Sequence, residues 1–251
     1  MPTVPKRRLD QILVERGLAD SRSRAQALIM AGLVYSETKR LDKAGMQTPE
    51  NIPLELKGQD HPWVSRGGLK LDHGLNYFQL DVMDAICLDV GASTGGFCDV
   101  LLDRGAARVY AVDVGHGQLA WKIRNDDRII VLERTNARYI SRAEVPDEID
   151  FICCDASFIG LQTILPASMK LAKSGAGMVA LIKPQFEVGK GLVGKKGVVR
   201  DPVLHEEVCD RTSEWINTLP DWQFLGIEKS PITGPEGNIE FLIGAEKLPV
   251  S

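Results

Sequence analysis

From residue 65 onward the chain alternates short, unbroken apolar runs with longer stretches of mixed polarity. Strand-length runs occur at 85–90 (AICLDV), 108–113 (RVYAVD), 129–132 (IIVL), 149–154 (IDFICC), 177–183 (GMVALIK), 223–229 (QFLGIEK) and 239–244 (IEFLIG). Continuous hydrophobicity, rather than strict alternation, marks strands covered on both faces. Helical patterning lies between them, as at 95–104 and 159–173. Strands alternating with helices predict an α/β fold: a doubly wound, mostly parallel sheet of seven strands. The last two runs are joined by a Pro/Gly-rich loop and predict a hairpin.

The front of the chain has another pattern. Leu9, Ile12 and Leu13 share a helical face that stops at Gly17. Asp20 or Ser21 is placed to cap a second helix, with Ala25, Leu28 and Ile29 on one face and Gly32 as its stop. A small basic strand region follows, then three prolines between residues 45 and 64. The expected organisation is a small α+β domain over 1–60, a linker at 61–66 and the large domain over 67–251.

Composition sharpens this division. The 251 residues are 44% apolar and 25% charged, ordinary for a globular chain, with a net charge of −4. Residues 1–44 hold nine Lys/Arg against five Asp/Glu, a net of +4, which leaves −8 for the remainder. Lys6, Arg7 and Arg8 precede the first helix, Arg22 and Arg24 open the second, and Lys39, Arg40 and Lys43 follow. On charge alone these are either solvated helix ends or a phosphate-binding face. The five cysteines are odd in number with no C-x-x-C spacing, which suits a reducing cytoplasm. Scattered histidines give no zinc pattern. No apolar stretch approaches the ~20 residues needed to span a bilayer.

The candidate chemistry begins at 87–97, CLDVGASTGGF, where a strand runs into glycines and then a helix. Gly91, Gly95 and Gly96 allow a ligand close to the backbone. Asp113 ends the next strand, at the place where a carboxylate can bind ribose hydroxyls. Ser93 replaces the second glycine of the dinucleotide fingerprint, and Asp89 would sit badly beside a pyrophosphate. Asp89 suits a cationic amino-acid tail instead. A cofactor with ribose, an ammonium group and a sulfonium, and without phosphate, is S-adenosyl-L-methionine. The loop with Asp113 resembles class I methyltransferases, in particular the FtsJ type. A second glycine run, GKGLVGK at 189–195, imitates a phosphate loop, but Lys196 stands where Ser/Thr is needed, and GVVRDP after it is no helix start. Its lysines, Lys190, Lys195 and Lys196, read better as a basic flap over an anionic substrate.

Four polar residues fall at strand ends or on the helix leading into the sheet: Lys70, Asp155, Lys183 and Glu240. Each alone reads equally well as a cap, an edge charge or a surface lysine. In the order Lys-Asp-Lys-Glu they are similar to the catalytic tetrad of ribose 2′-O-methyltransferases. The front segment Arg8-Leu9-Asp10 through Glu15, Gly17-Leu18-Ala19, Ser21-Arg22, Ala25, Leu28-Ile29, Gly32 and Val34 resembles the S4-type RNA-binding module. One departure is Glu37-Thr38 at the hairpin turn, where that module often has Asn-Gly. With PWVSRGGLKL, CDASFI, IKPQFE and EGNIE in the same order, the whole chain resembles the TlyA (haemolysin A) family of ribosomal RNA 2′-O-methyltransferases.

The resemblance implies S-adenosyl-L-methionine as cofactor and a ribose, of a cytidine, in 16S or 23S ribosomal RNA or both as substrate. It implies Lys70, Asp155, Lys183 and Glu240 as catalytic. Gly91, Ser93, Thr94, Asp113 and Asn136 are expected at the cofactor, with Asp89, Gly95 and Gly96 beside them. The expected RNA contacts are Arg7, Arg8, Arg22, Arg24, Lys39, Arg40, Arg66, Lys190, Lys195 and Lys196. In the expected scheme Lys183 is a general base or the cation that stabilises an alkoxide. Asp155 and Glu240 orient it, and Lys70 binds the target phosphate or ribose. A membrane-active haemolysin would need an amphipathic or spanning segment, and none is visible.

Overall fold

The structure is a computed structural model and describes residues 5–19, 21–30, 32–57, 61–234 and 236–249; the side chain of Lys190 is not described. Asp20, one of the two expected helix caps, falls outside these residues. The chain divides into two compact units, Met1–Pro62 and Trp63–Ser251.

The first unit contains β1 (Lys6–Arg8), α1 (Leu9–Glu15), α2 (Arg22–Met30), β2 (Val34–Ser36), β3 (Lys39–Arg40), β4 (Gln47–Pro49) and β5 (Glu55–Leu56). β1 pairs antiparallel with β4, and β3, β2 and β5 form a second small sheet. Leu9, Leu13, Ala25, Leu28, Ile29 and Val34 pack as its core. Ser21 Oγ accepts a hydrogen bond from the Arg24 N–H at 3.2 Å and so caps α2. The β2–β3 turn is two residues long, with Glu37 at φ 55, the left-handed region that the more usual Asn enters at lower cost.

The second unit follows as α3 (Gly67–Tyr77), β6 (Ile86–Val90), α4 (Gly96–Asp103), β7 (Arg108–Val112), α5 (Trp121–Arg124), β8 (Ile129–Leu132), β9 (Ile149–Cys154), α6 (Leu161–Met169), β10 (Ala172–Ile182), α7 (Pro184–Glu187), α8 (Pro202–Asn217), β11 (Trp222–Lys229) and β12 (Phe241–Lys247). The seven-stranded sheet has the order β11-β12-β10-β9-β6-β7-β8. Strands β10, β9, β6, β7 and β8 run parallel, while β12 is antiparallel to both β10 and β11. Trp63, expected in a linker, is buried in the core of this unit.

Two boundaries differ from the sequence expectation. The helix expected to reach 173 ends at Met169, and β10 begins at Ala172. The stretch GVVRDP does lead into a helix: the Asp201 carboxylate accepts from the Val203 N–H at 3.0 Å and Pro202 occupies the first turn of α8. Asp-Pro is a good helix start because the carboxylate caps a free N–H and proline lacks one to satisfy. Its distance from Lys196 leaves the phosphate-loop pattern unfulfilled, since two 3₁₀ turns, Lys190–Leu192 and Lys195–Gly197, precede it.

The sheet's period of two decides where the chemistry points. Cys87, Phe151, Cys153, Val179, Leu181 and Leu242 pack on one face with Leu71 and Leu75 of α3 and Val100 and Leu101 of α4. Leu88, Val90, Ile152, Cys154, Ala180 and Ile182 pack on the other with Leu165 of α6 and Val208 of α8. Asp155, Lys183 and Glu240 each continue the parity of the first face, so all three leave the sheet toward α3.

Candidate active site

α3 supplies Lys70 from its sheet-facing side, where Lys70, Leu71, Gly74 and Leu75 are buried together. Asp155 follows β9, its N–H donating to the Val90 carbonyl at 3.0 Å. Lys183 is the residue before α7, with extended backbone at φ −113, and Pro184 opens the helix turn. The register that pairs Ile182 with Phe241 sets Glu240 level with Lys183 across the β10–β12 pair.

These side chains form one line of alternating charge. Lys183 Nζ lies 2.6 Å from Asp155 Oδ1, Lys70 Nζ lies 3.8 Å from Asp155 Oδ2, and Lys70 Nζ lies 2.6 Å from Glu240 Oε2. Side-chain exposures are 8% for Lys183, 7% for Lys70, 1% for Glu240 and 21% for Asp155. Lys183 also donates to the Asp155 carbonyl and to Ser157 Oγ, each at 3.1 Å. Lys183 Nζ thus has two hydrogen-bond acceptors and an ion-pair partner in the Asp155 carboxylate. Glu240 departs from the expected role. It holds Lys70, not Lys183, because α3 brings the Lys70 head over the start of β12. Asp155 is the carboxylate that both lysines share.

The quartet borders a cavity of about 800 Å³, lined among others by Arg66, Gly91, Ser93, Thr94, Gly96, Ser157, Phe158, Phe186, Lys196 and Asn238. Gly91 has φ 87, and a Cβ there would stand 3.0 Å from the Ala156 backbone. No other residue lets the loop after β6 pass this close to the loop after β9. Asp113 lies outside this cavity, at the end of β7. Its carboxylate accepts from the Ser93 N–H at 2.8 Å and the Gly115 N–H at 2.6 Å, beside a space of only about 10 Å³. Asn136 is exposed and accepts from the Arg138 N–H at 3.1 Å. Asp89 does not reach the cavity. It is fully buried, with Cys98 Sγ donating to it at 3.0 Å, and burial pushes its carboxyl up to about 7. The parity that turns Asp155 toward α3 also turns Asp89 into the core under α4, so a direct contact with a cofactor's cationic tail is not what this fold provides.

Among the expected RNA contacts of this unit, Arg66 donates to the Thr233 carbonyl at 3.0 Å, Lys196 lines the cavity at φ 62, and Lys195 is exposed. Lys190's side chain falls outside the described residues. In the first unit Arg7 is held by Glu15 at 2.5 Å and Glu50 at 2.8 Å. Arg8 and Arg22 both reach Asp10, while Lys39 and Arg40 are exposed on β3.

Several site residues escaped the sequence reading. Ser157 sits two residues after Asp155, which was the only available hint. Phe158 is 89% exposed at φ 67, its ring 5.0 Å from that of Phe186. Asn238 is buried, accepts from the Val199 N–H and donates to the Gly197 carbonyl, both at 3.0 Å, and so fastens the basic flap to the loop before Glu240. The Glu187 carboxylate accepts from the Leu161 N–H at 2.8 Å and joins α7 to the start of α6; burial raises its carboxyl above the usual range. None of these has a periodic signature, because each acts by a contact between loops. Among the described residues, no group of three or more His, Cys, Asp or Glu is placed to hold a metal ion, and no helix is long and apolar enough to cross a membrane.

A glycine loop after the first parallel strand, an acidic residue ending the second, and a polar quartet at the strand ends define a class I methyltransferase that uses S-adenosylmethionine. Residues 63–247 match the FtsJ-like methyltransferase family and residues 7–50 the S4 domain. The chain belongs to the TlyA branch of the FtsJ-like methyltransferases. It is similar to YqxC, a candidate rRNA methyltransferase of Bacillus subtilis (strain 168), with 49% identity over 96% of this chain and 86% of that one. It is also similar to the 16S/23S rRNA (cytidine-2′-O)-methyltransferase TlyA of Mycobacterium tuberculosis (strain ATCC 25618 / H37Rv), with 46% identity over 94% of this chain and 88% of that one. A solved structure of a candidate hemolysin from Streptococcus thermophilus superposes with a TM-score of 0.76 at 43% identity, covering 98% of this chain and 90% of that chain.

Proposed function

We propose that this chain transfers a methyl group to the 2′-oxygen of a ribose in ribosomal RNA, a cytidine by its similarity to the mycobacterial enzyme, and works in the cytoplasm where that RNA is found. The observation that carries the reading is the Lys183–Asp155–Lys70–Glu240 line beside the glycine loop. The five cysteines are unpaired, in keeping with that compartment.

The loop at 91–96 fits the cofactor chemically, since it carries no basic side chain that would select a phosphate and ends at helix N–H groups. Gly91, Ser93, Thr94 and Gly96 would hold the cofactor, with the Asp113 carboxylate the acceptor for ribose hydroxyls. When bound, S-adenosylmethionine supplies an electrophilic methyl group. Lys183 holds the target hydroxyl in the place Ser157 Oγ now takes and steadies the negative charge that grows on its oxygen. Asp155, the most exposed of the four, orients Lys183 and is the carboxylate available to the departing proton. Glu240 pairs with Lys70 beside Asp155, which is why that buried cation is tolerated. Lys196 and Arg66 face the RNA backbone at the cavity, and Phe158 with Phe186 offers an aromatic face to an unstacked base.

The test is mapping of 2′-O-methylated nucleotides on unmodified 16S and 23S rRNA, naked and in purified subunits, after incubation with the protein and S-adenosylmethionine. Methylation of neither RNA overturns the reading. Lys183→Arg tests the cationic role given to that lysine: a cation retains part of its activity as Arg, and complete loss in a folded variant would speak against that role.

A further inference from the structure

Asp10 is the most heavily engaged acid of the first unit, and no part of the proposed chemistry uses it. It is 0% exposed. Arg8 grips it with a two-pronged contact, Nε to Oδ1 at 3.0 Å and Nη2 to Oδ2 at 2.9 Å. Arg22 Nη2 donates to Oδ2 at 3.2 Å and Gln26 Nε2 to the same oxygen at 2.9 Å. The two arginine side chains are themselves 39% and 55% exposed. A buried carboxylate thus lies under two solvent-facing arginines drawn from β1 and α2.

We propose that Asp10 is a positioning residue for RNA: it sets the spacing and orientation of Arg8 and Arg22 so that their remaining N–H donors meet neighbouring phosphates. The proposal rests on the RNA reading above. Arg8 spends one edge of its fork on Asp10 and Arg22 a single N–H. With five donors on each guanidinium, neither spends Nη1 on a partner among the described residues, which leaves it to an anion. One negative charge against two positive leaves the cluster cationic. Pre-set arginines lose less side-chain freedom on meeting the RNA than free ones do. Arg7 makes the contrast, for it lies between the Glu15 and Glu50 carboxylates and carries no surplus charge outward.

The idea can be tested by the sign of one effect. Asp10→Asn in the full-length protein adds one unit of positive charge, and general electrostatics then demands tighter RNA binding. Positioning demands weaker binding, by the order of tenfold, with the slope of log Kd against log salt reduced by roughly 1.4–1.8 for two lost phosphate contacts. Naked 16S and 23S transcripts are the probes, with S-adenosylmethionine affinity unchanged as the control. The loss should vanish in an Arg8→Ala/Arg22→Ala background. Tighter or unchanged binding, or a loss that persists in full in that background, overturns the proposal. Where Asp10→Asn does not fold, Arg8→Lys/Arg22→Lys keeps every charge and removes only the fork; wild-type affinity in that variant overturns it equally. Failure of the wild-type protein to bind either RNA would strike the functional reading instead.

Discussion

Two charged clusters, one in each unit, rest on a buried carboxylate, Glu240 in the one and Asp10 in the other, and they are built to opposite ends. In the second unit two lysines and two acids balance, every cation is at most 8% exposed, and each faces another member of the quartet. In the first unit one acid holds two arginines whose side chains are exposed. The first arrangement keeps charge still, at the expense of desolvation, where an oxygen must become nucleophilic. The second leaves net positive charge outside and fixes its geometry. On the proposed roles, burial depth of the cation, not the presence of an ion pair, separates the cluster set for catalysis from the one set for gripping RNA.

The contrast can be broken at several points. The largest effect is expected for Lys183→Ala: methyl transfer falls about 10²–10⁴-fold, while calorimetry still shows cofactor binding and the melting curve stays cooperative. Activity within a few-fold of wild type would remove Lys183 from the chemistry. Lys70→Ala strands Glu240 in the interior, and one orphaned member of a buried pair costs about 3–5 kcal/mol. Denaturant titration should show that loss, and Lys70→Ala/Glu240→Leu should recover most of it. A surface pair would show under 1 kcal/mol.

Phe158→Ala should leave stability within about 0.5 kcal/mol, since the ring is solvent-facing, and reduce kcat/KM on RNA by about 1–3 kcal/mol equivalent if the base stacks there. Arg7→Ala is expected to weaken RNA binding least, within a factor of about two, because its charge is already met by two acids.

Two of the buried aspartates, Asp10 and Asp89, give the comparison a pH test with opposite signs. Arg8, first among its partners, holds the Asp10 carboxyl well below the usual range. Its contribution is present above the ordinary carboxylate range and is lost as pH falls through it and beyond. Asp89 is pushed up to about 7 by burial, with no cation among the described residues to oppose it. The unfolded chain releases that proton at about 3.9, so from there to about 7 the folded state holds the extra proton and stability falls as pH rises. Asp89→Asn should therefore melt higher than wild type at pH 8 and show no advantage at pH 4. A parallel pair of melting curves would show that burial does not raise the Asp89 carboxyl.

The fold was largely legible in the chain. Runs such as IDFICC and GMVALI are too apolar for a sheet with a wet face, and the helices between them leave a parallel sheet as the economical solution. Lys70, Asp155, Lys183 and Glu240 were visible as polar interruptions at the ends of such runs, and the glycine loop by its spacing. Partnership was not visible. That Glu240 holds Lys70 depends on β12 entering antiparallel between β10 and β11, a long-range choice with no local signature. Asp89 and Asp155 look alike in one dimension, each a lone acid in or just after an apolar strand. Asp89 comes before the strand has ended and is covered by α4, whereas Asp155 stands one residue past Cys154 and opens to the cavity. The same holds in the first unit, where Arg7 and Arg8 are neighbours in a basic run yet point to opposite faces of β1, one to Glu15 and Glu50 and the other to Asp10. Local pattern determines which residues become strand, helix and turn, because those preferences act within a few residues. Whether a charge is paired, sealed or offered to a substrate is settled by which elements pack against it, and only the folded chain brings those together.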